Sequence, residues 1–332
     1  MHVHSPHQSA TRALESAATV LALVLAAWSA PFAAAHASPL DDHQEASSES
    51  SSSVRTASDD ELKELQDDFK TAWKSKESRA IAASLERLSA FNNPELLKAA
   101  KEAFKYKPSK TDRDDVKTEA ESLGMDDKLT QERMLEVRVA RVIDAAARLC
   151  VSVGDEDSVD LLVKALGDKK IWESPPQVRA VVEGLAAHRL ASAKADKAIA
   201  EILYSIDADD YAGDKFDYSK PGAQVDGYDY VGKYSAAIRY FGMRRTKSFD
   251  ILMYIGGLLN APTPGGVDSP DNPPASYWEA RFKTWQRFNR DAVWTLKQVT
   301  GQTWKPGYPD EDGEGEVAKA WIREHREDLG LE

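Results

Sequence analysis

The feature that most restricts the fold is an internal repeat of one helical segment. Residues 137–149 read VRVARVIDAAARL and residues 178–190 read VRAVVEGLAAHRL, so six of thirteen positions are identical at a constant offset of 41 residues. A period of this length is typical of two-helix units that stack side by side. Such chains bury a continuous apolar seam and present a long surface to other molecules. The repeat therefore predicts an all-α chain, an α-solenoid of stacked antiparallel helical pairs.

Apolar residues at helical spacing predict further pairs on both sides of the repeat. One pair covers residues 79–106 and another covers residues 234–260. The domain is predicted to begin at Ser58, which caps the first helix, and to end at residue 332. Ser174, Pro175, Pro176 and Gln177 predict a second capping box ahead of the repeated segment. Residues 276–332 are rich in aromatic side chains and are predicted to cap the exposed end of the stack.

Three inserts are predicted to interrupt the pairs. Residues 107–130 are strongly charged and contain one polar helix around residues 116–123, and residues 261–275 form a proline-rich loop. Residues 206–232 form an acidic loop, and a long irregular insert of this kind is either functional or disordered. Its aspartates are Asp207, Asp209, Asp210, Asp214, Asp217, Asp226 and Asp229.

The first 57 residues are predicted to lie outside the folded domain. Residues 17–27 are an uninterrupted apolar run, and the small residues after it end in Ala35-His36-Ala37. This pattern is typical of a secretory signal peptide over residues 1–37. The serine-rich segment 38–57 has almost no large apolar residue and is predicted to be a disordered tether. We therefore expect an exported protein, periplasmic or extracellular, with an uncleaved N-terminal membrane anchor as the alternative. No transmembrane segment is expected in the mature chain.

Charge and cysteine content exclude some classes of function. The formal net charge is −12 and the pI about 5.2, so nucleic acids should be repelled overall. The single cysteine, Cys150, cannot form a disulfide within the chain and is expected to be a small buried apolar residue. Stability must therefore come from helix packing.

The repeated segments resemble HEAT-type repeats. Each begins with Val-Arg and ends with Ala-Ala-x-Arg-Leu, and the ending Val299-Thr300-Gly301 followed by Trp321 resembles the closing segment of exported bacterial HEAT-repeat proteins. The resemblance covers roughly residues 59–332, although only the second and third units match cleanly. It implies an α-solenoid that binds partners, and it supplies no catalytic residues.

The sequence contains no pattern typical of a catalytic or cofactor site. There is no G-x-S-x-G, no phosphate-binding loop and no G-x-G-x-x-G, and His43, His188 and His325 lack metal-ligand spacing. The sequence indicates no cofactor, and calcium bound at the acidic loop is the alternative. Against it, the loop that starts at Asp207 has Gly213 at position seven rather than six and no glutamate at position twelve.

Aromatic residues in loops are the only candidate ligand contacts. Trp304 lies in a Gly/Pro-rich loop and is expected to be the most exposed tryptophan, with Tyr228 and Tyr230 of the acidic loop next. The main hypothesis is a non-catalytic solenoid of the cell envelope that binds or scaffolds a protein partner. One alternative is a glycan-binding module that uses these aromatic side chains. A further alternative is a hydrolase whose site is at the acidic loop, with two carboxylates facing one another.

Overall fold

The structure is a computed structural model that describes residues 58–206, 225–260, 275–307 and 313–332, all within the unit spanning residues 53–332. Within these ranges the chain forms thirteen α-helices, one short 3-10 helix and no β-strand, which confirms the all-α prediction. The helices are α1 (Asp59–Ser75), α2 (Ser78–Leu88), α3 (Leu97–Ala103), α4 (Lys110–Ser122), α5 (Lys128–Val153), α6 (Glu156–Leu166), α7 (Lys169–Trp172), α8 (Pro175–Ala187), α9 (Ala193–Tyr204), α10 (Gly232–Met243), α11 (Phe249–Gly257), α12 (Ala275–Thr300) and α13 (Gly315–Glu324).

Polar side chains set where several helices begin. The Ser58 hydroxyl accepts a hydrogen bond from the backbone N–H of Glu61, as the sequence predicts. Between the repeated segments, Gly154 ends α5 in the left-handed conformation (φ 66°), and the Asp155 carboxylate accepts from the Ser158 N–H to begin α6. Such caps satisfy N–H groups that have no partner within the helix. The turn between α5 and α6 is therefore short, and the two helices contact each other.

Five helices contact one another in series along the chain. Helix α5 packs against both α2 and α8, α8 packs against α10, and α10 packs against α12. A second set lies beside them: α3 and α6 contact α5, α6 also contacts α8 and α9, and α9 contacts α10. The repeated segments 137–149 and 178–190 are thus direct neighbours, and no strand lies between residues 135 and 204.

Small and branched apolar side chains fill the interface between these helices. In α5 the alanines and valines are buried, and the facing residues of α8 are almost as completely enclosed. Cys150 is among them, as predicted, and burial raises the pKa of its thiol to about 12. The apolar seam includes Val142, Ile143, Ala146, Leu149, Val178, Val181, Val182 and Leu185. Helices with this many small residues approach one another closely, so each exposes only a narrow strip to solvent.

The charged insert at residues 107–130 is more ordered than a loop. Its helix, α4, covers Lys110–Ser122 rather than 116–123, and it packs against α5. The buried Asp112 carboxylate accepts hydrogen bonds from the backbone N–H and the hydroxyl of Ser78 and from the Tyr106 hydroxyl. The buried Arg138 pairs with Asp115 and Glu119 on α4. Polar residues that read as solvent-exposed in the sequence therefore attach this helix to the core.

The C-terminal residues close the far end of the described chain. Helix α13 packs against α11, and the last residue pairs with the turn between α10 and α11. There the Glu332 N–H donates to the Lys247 carbonyl, and the Phe249 N–H donates to the Glu332 carbonyl. The backbone groups at the chain end are thereby paired, which is consistent with a cap.

Several sequence predictions fall outside the described residues. These are the signal peptide (1–37), the whole tether (38–57), and the greater part of the acidic loop (207–224) and the proline-rich loop (261–274). Across the portion of the chain that is described, every helix is too short or too polar to cross a bilayer.

Candidate binding surface

Three ion pairs lie at the surface of α5, α8, α10 and α12. The pairs are Asp144 with Arg148 on α5, Glu183 with Arg179 on α8, and Asp291 on α12 with Arg239 on α10. We call these six residues the charged strip. The distances between the paired N and O atoms are 2.9, 2.7 and 3.3 Å.

The charges of the strip influence one another from helix to helix. Burial raises the pKa of Asp144, and the carboxylates of Glu183 on α8 and Glu86 on α2 raise it further, while Arg148 opposes the shift. At Arg179, burial acts against the charge, but Glu183, Asp229 and Asp291 raise the pKa above its ordinary value. Charges on neighbouring helices therefore lie close enough to affect one another.

Tyr228, one of the predicted ligand contacts, lies near the end of the acidic loop and contacts α5. The Arg133 guanidinium of α5 stacks over its ring at 4.7 Å from the ring centre. Burial raises the pKa of Tyr228 to about 12, with a further contribution from Glu136. Arg133 is itself buried, and its Nη1 has no hydrogen-bond partner within the described ranges. The tyrosine is thus held against a cation instead of extending freely into solvent.

Glu136 of α5 lies near Tyr228 and Arg133 and makes a contact that the sequence did not predict. The Ser174 hydroxyl donates to Glu136 Oε2 at 2.8 Å and makes no capping bond to α8, so the predicted capping box with Gln177 is wrong. The Gln177 N–H, which a capping box would direct to the serine hydroxyl, donates to the Ser174 backbone carbonyl instead. Burial raises the pKa of Glu136, although Ser174 and Arg133 stabilise the ionised form.

Tyr230 is half-buried, as Tyr228 is. Its side chain is half-buried and packs at the edge of the core, and the Lys233 ammonium lies 4.9 Å from its ring centre. The same ammonium lies 4.7 Å from the ring of Tyr234, which is buried. The structure thus brings Tyr228 and Tyr230 into one region, at the end of the acidic loop.

Trp304 does not belong to this region, and its predicted exposure is wrong. Its side chain is 7% exposed and packs edge-to-face on Trp321, with 5.7 Å between the ring centres. Trp321 in turn stacks on His325 at 4.0 Å. The Gly/Pro-rich loop suggested an exposed ring, but α13 provides apolar partners that the local sequence does not reveal. Trp304 is therefore a buried residue that packs against α13.

Ser158 and His188 form a close pair that resembles a nucleophile and its base. His188 Nε2 lies 2.8 Å from Ser158 Oγ, and both residues are buried. However, His188 Nδ1 accepts from the Leu190 N–H, and Ser158 Oγ donates to the Asp155 carbonyl. The ring proton is therefore on Nε2 and is donated to the serine, which is the reverse of what a general base requires. This pair joins α6 to the end of α8.

Metal-ligating residues do not cluster anywhere in the ranges described. The proposed calcium ligands at residues 207–217 lie outside them, whereas Asp226 and Asp229 lie inside.

The charged strip is the feature that sequence reasoning missed. Arg148 and Arg179 each have an acidic residue four positions away, and that spacing was the available signal. Arg239 and Asp291 are distant in sequence, so only the packing of α10 on α12 brings them together.

Comparison with known proteins finds no match: no family model, no curated protein and no solved structure matches this chain.

Proposed function

We propose that the chain is an α-solenoid of stacked antiparallel helical pairs, similar to HEAT-type repeats, which binds or scaffolds a protein partner without catalysing a reaction. The serial contacts of α2, α5, α8, α10 and α12 support the stacked arrangement. The single observation that favours binding is the charged strip, because successive helices contribute ion pairs to the surface above a largely apolar interior. Extended surfaces of this kind are how helical repeat proteins usually meet partners.

The test is chemical crosslinking in extracts of the cells that produce the protein, followed by identification of the captured molecules. A defined protein captured reproducibly, and competed by unlabelled protein, is the expected result. Capture of no protein across independent preparations would overturn the proposal. A glycan array is the negative control, since a solenoid that binds only proteins should give no signal on it.

A second candidate function is glycan binding at the corner formed by Tyr228, Tyr230 and Glu136. One observation favours it: the buried Arg133 Nη1 has no acceptor in the described structure, and a carboxyl group and tyrosine rings lie beside it. Sugar hydroxyls both donate and accept, and sugar rings pack on aromatic faces. Tyr230→Ala should abolish array signals under this hypothesis. Tyr204→Ala, an exposed tyrosine on α9, is the control.

Export to the cell envelope is also a proposal, supported by the pattern of residues 1–37. The mass of the protein isolated from the producing cells tests it. Cleavage after Ala37 gives a mature chain that begins at Ser38. An intact N-terminus together with recovery in the membrane fraction would instead indicate the uncleaved anchor.

A further inference from the structure

Three polar side chains meet where the end of α11 reaches the start of α13. Asn260 follows α11 after a short turn, and Glu316 and Lys319 lie on the first turns of α13. The Lys319 ammonium contacts Glu316 Oε1, and Asn260 Nδ2 donates to the same oxygen at 3.4 Å. An amine, a carboxamide and a carboxylate are therefore held together, and one carboxylate oxygen touches both of the other groups.

The backbone of α13 fixes and polarises the carboxamide of Asn260. The Gly315 N–H donates to Asn260 Oδ1 at 3.1 Å. A Cβ atom on Gly315 would lie 2.6 Å from Asn260 Cγ, so the glycine allows the backbone to approach the carboxamide this closely. An N–H group at the positive end of a helix withdraws electrons from a carbonyl, and it stabilises the oxyanion that forms when a nucleophile attacks that carbonyl.

The amine of Lys319 is held beside this carboxamide by packing on α11. The side chain of Lys319 is only 21% exposed, whereas most lysine side chains extend into solvent. Its stem lies across Gly256, where a Cβ atom would be 3.2 Å from Lys319 Cγ. The two reacting groups thus come from different helices and are positioned by the contact between α11 and α13.

Glu316 is placed to carry a proton from the amine to the carboxamide nitrogen. Its hydrogen bond to Lys319 lowers the pKa of this carboxyl group, so the group is ionised at neutral pH and able to accept a proton. The oxygen that contacts the ammonium is the one that accepts from Asn260 Nδ2. A proton taken from Lys319 is therefore already beside the nitrogen that has to leave.

We propose that Lys319 and Asn260 become joined by an isopeptide bond, which the chain forms by itself with Glu316 as the proton carrier. Glu316 removes one proton from the ammonium, and Lys319 Nζ then attacks Asn260 Cγ to form the new C–N bond. The electron pair of the carbonyl moves to Oδ1, where the Gly315 N–H stabilises it.

The reaction ends with the loss of ammonia. Glu316 donates its proton to Asn260 Nδ2, the electron pair returns from Oδ1, and the bond between Cγ and Nδ2 breaks. The second proton of Lys319 Nζ leaves through the regenerated carboxylate, so the products are one amide and one ammonium ion. No oxidant, reductant or co-reactant is required.

Such a bond would supply a covalent closure that the cysteine content does not allow. The single Cys150 cannot form a disulfide within the chain. A link between residues 260 and 319 closes a long loop and lowers the conformational entropy of the unfolded chain. The reaction has to occur only once per chain, and groups held in contact react as if at very high concentration. It is self-modification, and it does not make the chain an enzyme.

Intact-mass spectrometry of the purified full chain tests the proposal, both after purification and after prolonged incubation at neutral pH. The wild type should be lighter by one ammonia, about 17 Da, than the mass calculated for the isolated chain. Glu316→Gln and Lys319→Arg should keep the calculated mass. Glu324→Gln, an exposed change on the same helix, is the matched control and should lose ammonia as the wild type does.

Peptide mapping distinguishes the bond from the other reaction that removes ammonia from asparagine. Cyclisation of Asn260 to a succinimide gives the same mass loss without a link to Lys319. Trypsin should release one branched peptide that joins the Asn260 and Lys319 segments, with no cleavage after Lys319. The wild-type map tests the bond whether or not a variant folds. An unmodified wild-type mass, a mass loss without the branched peptide, or an equal yield of that peptide from Glu316→Gln would each overturn the proposal.

Discussion

Gly184 of α8 lies against Ala147 of α5 so closely that a Cβ atom on the glycine would be 2.8 Å from the alanine Cβ. Real Cβ atoms do not approach to that distance, so one helix would have to move. The contact lies inside the repeated segments and marks where the two neighbouring units meet.

Gly184→Ala should therefore destabilise the protein, by about 1–3 kcal/mol, because overpacking outweighs the gain in helix propensity. Gly257→Ala is the matched change at the end of α11, where a Cβ meets nothing within 4 Å. It should be neutral or stabilising by up to about 1 kcal/mol. Urea unfolding of both variants checks the pair, and equal effects would contradict the close packing of α5 on α8.

Asp112 is expected to anchor the α4 insert to the first helical pair. Asp112→Ala leaves the Ser78 N–H and hydroxyl without their acceptor and should lower stability by about 2–3 kcal/mol. Asp114→Ala, an exposed change on the same helix, should stay within about 0.5 kcal/mol. Denaturant midpoints measure both. If α4 were a loosely attached insert, the two variants would be indistinguishable.

Stability should fall as the solution becomes acidic, in part through His188. Burial and the nearby Arg244 and Arg189 lower the pKa of this imidazole below the ordinary 6.5. Between the lowered pKa of the folded chain and the ordinary value of 6.5, the unfolded chain binds more protons than the folded one. The contribution of His188 to stability is therefore complete above about pH 6.5 and decreases as the pH falls below it. Protonation would also disrupt the hydrogen bond that Nδ1 accepts from Leu190.

The check is urea unfolding at about pH 7.5 and about pH 5.5 for the wild type, His188→Gln and His325→Gln. The difference between the two pH values should shrink in the His188 variant, which has no imidazole at this position, and should persist in the His325 variant. A wild-type difference retained in full by His188→Gln would show that other groups cause it.

Trp304 is predicted to stabilise the C-terminal cap rather than to bind a ligand. Trp304→Ala should lower the free energy of unfolding by about 3–5 kcal/mol, as truncation of buried aromatic residues does. Trp172→Ala on α7, where the residue is 40% exposed, should cost less, about 1–2 kcal/mol. Thermal unfolding followed by circular dichroism separates them, and a thermally neutral Trp304 variant would contradict its burial.

Local patterns in the sequence predicted the helices but not the contacts between distant segments. The repeat predicted α5 and α8, and the caps at Ser58 and Asp155 fall where helix chemistry requires them. Ser174 was misassigned because its partner, Glu136, is 38 residues away. Trp304 was misassigned for the same reason, since Trp321 covers it from another helix.

The polar attachments show the same division. Asp112 and Arg138 read as ordinary charged helix residues, and only the folded chain shows them buried and paired across α2, α4 and α5. The Arg239–Asp291 pair likewise depends on α10 meeting α12. Side-chain periodicity records which face of a helix is apolar, and it contains no information on which polar group another element will supply.

The central claim is that a partner protein docks on the helices that carry the charged strip. Site-specific photocrosslinking tests this claim most directly. A photoreactive amino acid replaces Met243 on α10, whose side chain is 52% exposed, or Tyr204 on α9, which is 48% exposed. Illumination in extracts of the producing cells should attach one defined protein to the Met243 position and none to the Tyr204 position. Attachment at Tyr204 alone, or at neither position, would contradict the account.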